Sequence, residues 1–278
     1  MRLDHGFGMA LFGLALLCRA GTARAEEGPK AGEKMPLPFA QRPLTLPRMT
    51  LAPEVSFDVA HVAFGGQRSA TGVGMEIGAH FGILDDLEVG AVVLPLEFSP
   101  DFAYGNPRLE ATFRFLKGTV EMGARLRTIF GLHSGNTGVI LEPGLPILIH
   151  IGEAARIDTG VFVPMAFSTS PGDLPVSSST TIGLNIPFQF IYDVIPELHI
   201  GANTGLGIYD FAHAGDEIYI PLGFVAGYAI GNEKGPLVDI DPYFKFPYFA
   251  IPGAGSGQDK IFTGIWQTGI AATVYLYL

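Results

Sequence analysis

The chain has 278 residues, with 17 Lys and Arg against 27 Asp and Glu for a net charge of −10, and only 16% of its residues are charged. Globular domains carry about 25%, so little of this surface is built for water, and the acidic balance argues against nucleic acid as a partner. Mean hydropathy is high at +0.33, yet beyond residue 25 no apolar run reaches the roughly 18 residues of a membrane-spanning helix.

Residues 1–25 start with Arg2, continue through the apolar run GFGMALFGLALLC and end on TARA, which places Ala23 and Ala25 as in an A-x-A cleavage site. That is the pattern of a secretory signal peptide, with cleavage expected after Ala25. Cys18, the single cysteine, lies inside it. The exported chain therefore has no disulfide, thiolate chemistry or Cys-ligated metal open to it. Loss of Arg2, Arg19, Arg24 and Asp4 takes the 17 basic and 27 acidic residues to 14 and 26, a net charge of −12.

Residues 26–53, EEGPKAGEKMPLPFAQRPLTLPRMTLAP, carry a proline every few residues and show no period. Proline fixes φ and removes a ladder donor, so an extended, irregular segment is expected. A periplasmic tether is favoured over a partial plug.

From residue 54 onward, period-two segments follow one another almost without pause. In GVGMEIGAHFG (72–82), Val73, Met75, Ile77, Ala79 and Phe81 share one face, and Gly74, Glu76, Gly78, His80 and Gly82 share the other. Such a strand is either core-facing in a soluble protein or lipid-facing in a membrane barrel. Similar spans are expected at 54–64, 72–83, 87–97, 107–116, 119–130, 138–151, 155–167, 178–191, 197–209, 217–230, 236–248 and 262–278. The connections at 84–86, 117–118, 152–154, 193–196 and 231–235 are short. Those at 65–71, 99–106, 131–137, 168–177, 210–216 and 249–260 are longer. Membrane barrels sort their loops in this way, with short turns on the periplasmic side and both termini there. The resulting fold class is all-β: a transmembrane antiparallel up-and-down β-barrel over 54–278, with about twelve strands. Ten or fourteen strands also fit the pattern.

Two short-side segments, GILDDLEVG (82–90) and FIYDVIPELHIG (190–201), both run apolar, Asp, one or more residues, then Leu with an acid before or after it, alternating into Gly, and YGNPRLEATFRFL (104–116) has the look of a strand descending from an outside loop. In these motifs the chain resembles Gram-negative outer-membrane β-barrel proteins, in particular small transporter-like and channel barrels. The resemblance implies outer-membrane localisation, contact with lipid and lipopolysaccharide, and delivery by the barrel-insertion machinery. The last strand fits that route, because Ile270, Ala272, Val274, Leu276 and Leu278 alternate with Ala271, Thr273, Tyr275 and Tyr277, although it ends on Leu278 instead of an aromatic residue.

With Val73, Met75, Ile77 and Phe81 toward lipid, the opposite parity lines the lumen. Its charged members are Glu76, His80, Glu88, Arg108, Glu110, Arg114, Glu121, Arg125, Arg127, Glu142, His150, Arg156, Asp158, Asp239, Asp241 and Lys245. Ionisable groups facing lipid cost about 2–4 kcal/mol at mid-membrane, so their confinement to one parity is what a barrel needs. Arg108, Arg114, Arg125 and Arg127 fall on two adjacent strands. They form either a basic track for anions, faced by Asp239 and Asp241, or a network neutralised by Glu110, Glu121, Glu88 and Glu142. Aromatics near strand ends (Phe98, Phe102, Tyr104, Tyr192, Tyr209, Phe211) are expected in interfacial girdles.

The expected function is passive diffusion of small solutes, anions among them, along a charged lumen. One alternative is a plugged barrel acting structurally or through its outside loops. Another is a lipid-modifying hydrolase assembled from His133, Ser134, Asp173, Asp210 and His213 in those loops. No Gly-rich phosphate loop, catalytic carboxylate pair or His-rich metal motif is present in the sequence, so neither a cofactor nor a metal is expected.

Overall fold

The computed structural model describes residues 35–64, 68–133, 136–168, 180–213, 218–232, 235–252, 261 and 263–278. They form a closed antiparallel barrel of twelve strands. The first six are β1 (Thr50–Phe64), β2 (Arg68–Leu84), β3 (Leu87–Ser99), β4 (Arg108–Leu116, preceded by the short piece Ala103–Tyr104), β5 (Val120–His133) and β6 (Asn136–Ile151). The others are β7 (Ala155–Phe162 and Met165–Ser168), β8 (Thr180–Ile182 and Leu184–Ile195), β9 (Leu198–Ile208), β10 (Ile218–Asn232), β11 (Gly235–Ala250) and β12 (Ile265–Val274 and Leu276–Tyr277). Each strand pairs with its sequence neighbours, and β12 closes on β1 from Glu54↔Thr273 to Val62↔Ile265. Among the described residues no sheet edge is left for another chain to pair with.

Several boundaries differ from the sequence reading. β1 begins at Thr50, before the expected residue 54. β2 begins at Arg68 and β5 runs to His133, so the first and third outside connections, expected at 65–71 and 131–137, reduce to 65–67 and 134–135. Polar, glycine-rich tips do not end a ladder when a partner strand continues alongside. Asp193, expected in a turn, lies within β8, opposite His199 of β9. In β3 the partner of Gly78 is Val92 and that of Ile77 is Leu94. Val93 is thus an extra residue, a bulge that reverses the parity and sends Pro95 and Glu97 inward in place of Leu94 and Leu96.

The two faces are inverted relative to a soluble fold. Phe57, Val73, Leu94, Leu109, Phe113, Leu126, Ile200, Phe224 and Ile270 stand exposed on the outer wall, while buried polar groups such as Arg114, Glu121, His199 and Asp239 face the interior. Phe98, Phe102, Tyr104, Tyr209 and Phe211 at one rim and Phe115, Tyr192 and Tyr228 toward the other are likewise exposed, as interfacial girdles require. Among the described residues no helix is long and apolar enough to cross a membrane; the strands form the wall instead.

Leu126, half exposed midway along β5, provides a test of this orientation. Leu126→Arg should lower unfolding free energy in lipid vesicles by about 2–4 kcal/mol, measured by urea titration. A neutral effect would mean that this face does not meet hydrocarbon.

Candidate functional site

The barrel interior is not empty at its short-turn end. Residues 35–49 run across it, so this part of the proline-rich segment is a plug against the wall and not an external tether. The reason lies in its backbone. A proline-rich stretch forms no ladder of its own, and its free N–H groups need acceptors, which inward carboxylates supply. Ala40 N–H donates to Asp193 Oδ2 at 2.8 Å, Leu44 N–H to Glu121 Oε2 at 2.9 Å, Leu46 N–H to Glu88 Oε2 at 2.8 Å and Arg48 N–H to Asp85 Oδ1 at 3.0 Å. In return, the Ala40 carbonyl accepts from His150 Nδ1 at 2.7 Å, and that of Phe39 accepts from Arg156 Nη1 at 3.0 Å. The segment leaves the lumen through Met49, whose φ is 60°, with Met49 N–H bonded to the Gly82 carbonyl at 2.7 Å. A Cβ on Gly82 would strike the carbonyls of Leu46 and Pro47, so glycine is what admits the segment this close to the wall.

Arg42 anchors the plug. Its guanidinium makes a forked pair with Asp239 through Nη1 to Oδ2 and Nη2 to Oδ1 at 3.0 Å. Asp239 also accepts from Tyr275 Oη at 2.7 Å. Nε donates to the Pro36 carbonyl at 3.2 Å and Nη2 to that of Leu37 at 3.0 Å. The guanidinium carbon lies 5.6 Å from the Tyr275 ring centroid. Arg42 and Asp239 are 3% and 1% exposed, so the pair is fully desolvated. Phe39 sits between His199, stacked at 4.3 Å, and the Arg156 guanidinium at 4.1 Å. Met35, Ala52 and Tyr275, with Leu46 and Tyr277 beside them, add a small apolar contact.

The four arginines of β4 and β5 are all met by acids. Arg108 pairs with Glu76 through two bonds of 2.8 and 2.7 Å. Arg114 reaches Glu121 at 2.9 Å and Asp86 at 3.0 Å. Arg125 meets Glu142 at 2.8 Å, and Arg127 meets Glu110 at 2.9 Å and Glu142 at 3.4 Å. In the turn, Lys117 also holds Asp86 at 2.8 Å. Partial burial pushes the Asp86 carboxyl up, but Lys117 and Arg114 outweigh it and hold the group below the usual carboxylate range.

Of the other sequence-predicted residues, Arg156 pairs with Asp158 at 2.9 Å, and His150 approaches Glu121 at 3.4 Å. Asp241 lies 3.3 Å from His199, and Lys245 stands 5.5 Å over the Tyr243 ring. His80 lies 2.8 Å from Glu88 and 3.6 Å from Glu110. These three could present ligand atoms to a metal, but Glu110 is already paired with Arg127 and Glu88 with Leu46 N–H.

Asp239 does not face the arginines across an open lumen, because Arg42 covers it. Sequence reasoning missed Arg42, which has no period to mark it, and also Asp193, Tyr275 and Asp58. Asp58 was legible from the alternation in β1; it accepts from Tyr243 Oη at 2.6 Å and Gln267 Nε2 at 2.7 Å.

Toward the other end, a cavity of about 320 Å³ remains, lined by Asp58, Glu76, Glu97, Asn106, Arg108 and Ile129 among others. Midway, the Phe162 ring lies flat over Gly144, where a Cβ would collide with it, and Arg125 stacks on that ring at 4.0 Å. Of the candidate hydrolytic set, Ser134 and Asp173 and the side chains of His133 and His213 lie outside the described residues. Asp210 caps its own turn by accepting from Ala212 N–H at 3.0 Å.

No protein-family model matches the chain, and no curated protein matches it. Among solved structures it is similar to an outer-membrane channel from Pseudomonas putida F1, at 12% identity over 84% of this chain and 97% of that one, with a TM-score of 0.52. It is similar also to the KdgM porin in complex with disordered oligogalacturonate, at 7% identity over 80% and 98% of the two chains, with a TM-score of 0.50. At these identities the likeness is one of fold: the chain is a twelve-stranded outer-membrane-type barrel.

Removing one partner of a buried ion pair costs about 3–5 kcal/mol, because the other charge is left uncompensated. Asp239→Ala should therefore release residues 35–49 to limited proteolysis while the barrel keeps its heat-resistant migration on gels. Continued protection would show that the backbone bonds alone hold the segment.

Proposed function

We propose that the protein is exported to the outer membrane of a Gram-negative bacterium and acts there as a channel for small polar solutes, with residues 35–49 governing the periplasmic mouth. The observation that carries this reading is the cavity of about 320 Å³ beyond the plug, lined by Asp58, Glu76, Glu97, Asn106 and Arg108. Twelve strands enclose more space than the eight whose side chains fill the interior, and less than the sixteen or more of wide aqueous porins. Passage through such a lumen depends on its charges.

Those charges do not favour anions. Each arginine of the β4–β5 row is matched by a carboxylate, whereas Asp58, Glu97 and Asp241 make no ion pair with Lys or Arg among the described residues. The anion preference read from the arginines alone gives way to a weak preference for cations. The outer wall takes lipid and lipopolysaccharide as its partners, and the final strand is the element offered to the insertion machinery.

Single-channel recording of the refolded mature chain in a planar bilayer, under a potassium chloride gradient, tests this reading. Discrete steps with a reversal potential displaced toward potassium are expected. A folded but silent barrel would overturn the channel in favour of a structural role, and an anion-side reversal would overturn the charge argument.

A further inference from the structure

The Arg42 contact is a complete ligand-binding arrangement in which the chain supplies its own ligand. We propose that the recess formed by Asp239 and Tyr275 is a guanidinium site on the solute path, occupied here by Arg42 as an internal mimic. It would take small solutes bearing a guanidinium or amidinium group when residues 35–49 withdraw. This rests on the channel reading and names its solute class.

Three features carry the argument. First, the recognising groups belong to the wall and stay behind when the segment leaves: Asp239 on β11 offers both carboxylate oxygens to a planar fork, at Nη2–Oδ1 3.0 Å for the resident arginine. Tyr275, between the two pieces of β12, sets its ring 5.6 Å from the guanidinium carbon. A forked donor satisfies two carboxylate oxygens at once, which a compact ammonium does not.

Second, the neighbouring Asp241 points along the same face of β11, and its Oδ1 is buried with no hydrogen bond among the described residues. The ring nitrogen His199 Nε2 stands 3.3 Å away. A ligand with a further N–H donor finds an acceptor there that Arg42 leaves unused.

Third, withdrawal of Arg42 exposes a carboxylate that the barrel otherwise keeps 1% accessible. Such a group is stabilised by any cation that refills the space. The internal arginine and a guanidinium solute therefore compete for one place, and the solute's entry favours the withdrawn, conducting arrangement.

The test uses the full mature chain in planar bilayers, with folding checked by heat-resistant gel migration. The probe is n-propylguanidinium, with n-butylammonium as its unforked control. Arg42→Ala should raise the fraction of time in the conducting state. Its current should be blocked by n-propylguanidinium at concentrations at least about tenfold below those of n-butylammonium, the difference expected for a charge-assisted hydrogen bond. Adding Asp239→Asn to Arg42→Ala should abolish that difference. Equal potency of the two cations, or a difference that survives Asp239→Asn, would overturn the site while leaving the channel standing.

A folded Arg42→Ala barrel with no current would instead overturn the channel reading. The site is then judged by melting temperature, which n-propylguanidinium should raise in Arg42→Ala and not in Arg42→Ala/Asp239→Asn. No selective rise would overturn it as well.

Discussion

A backbone placed in hydrocarbon has nowhere to send its N–H and C=O groups except to another strand, and each group left unpaired costs several kcal/mol. The pairing of β12 with β1 is thus the contact on which the remaining structure depends, since it removes the last two edges. The chain end is tied into the same seam: Leu278 N–H bonds to the Met49 carbonyl at 2.9 Å, where the plug turns into β1. Closure fixes a lumen of finite width, and everything inside must fit that width.

Closure and period two together decide where charge can go. Along β5, Leu126 faces out and Arg125 and Arg127 face in, so a single register places a lipid contact between two ion-paired groups. A lumen of this size cannot hydrate every charge fully, and the arginines are consequently met across strands by acids at 2.7–2.9 Å. Acid in excess of the arginines then becomes available for other donors. At the short-turn end those donors are the backbone N–H groups of a proline-rich segment, which has no strand of its own to satisfy them. Excess inward carboxylate and an unpaired extended segment are two halves of one solution.

This explains which features were legible in the sequence. Alternation such as Val73, Met75, Ile77 against Gly74, Glu76, Gly78 is a local property, and it placed the strands, their faces and the class of fold. The bulge at Val93 is not local: it depends on how β3 meets β2, so the inward position of Glu97 escaped. The choice of partner for each arginine depends on cross-strand register in the same way; Arg108 meets Glu76, which lies on β2, across the intervening β3. Arg42 escaped altogether, because its role comes from a residue 197 positions away and its surroundings have no period at all. Asp193 was expected in the connection 193–196, whereas β8 continues to Ile195 under its pairing with β9.

The way the plug is held has a consequence for its motion. An apolar plug would be retained by burial, which grows with area and has no geometry to lose. Here the apolar contacts are few, Met35 and Leu46 against Ala52, Tyr275 and Tyr277, Phe39 on the His199 ring and Leu37 and Leu44 beside Gly231 and Gly123, and directional hydrogen bonds to carboxylates and from wall side chains supply the rest. Such bonds exchange for water or for another donor at modest net cost, about 0.5–1.5 kcal/mol for a typical one. The exception is the Arg42–Asp239 pair, whose charges are costly to separate when nothing replaces the cation and inexpensive to separate when something does. The segment is therefore secured chiefly at one point, and that point responds to what else is present in the lumen.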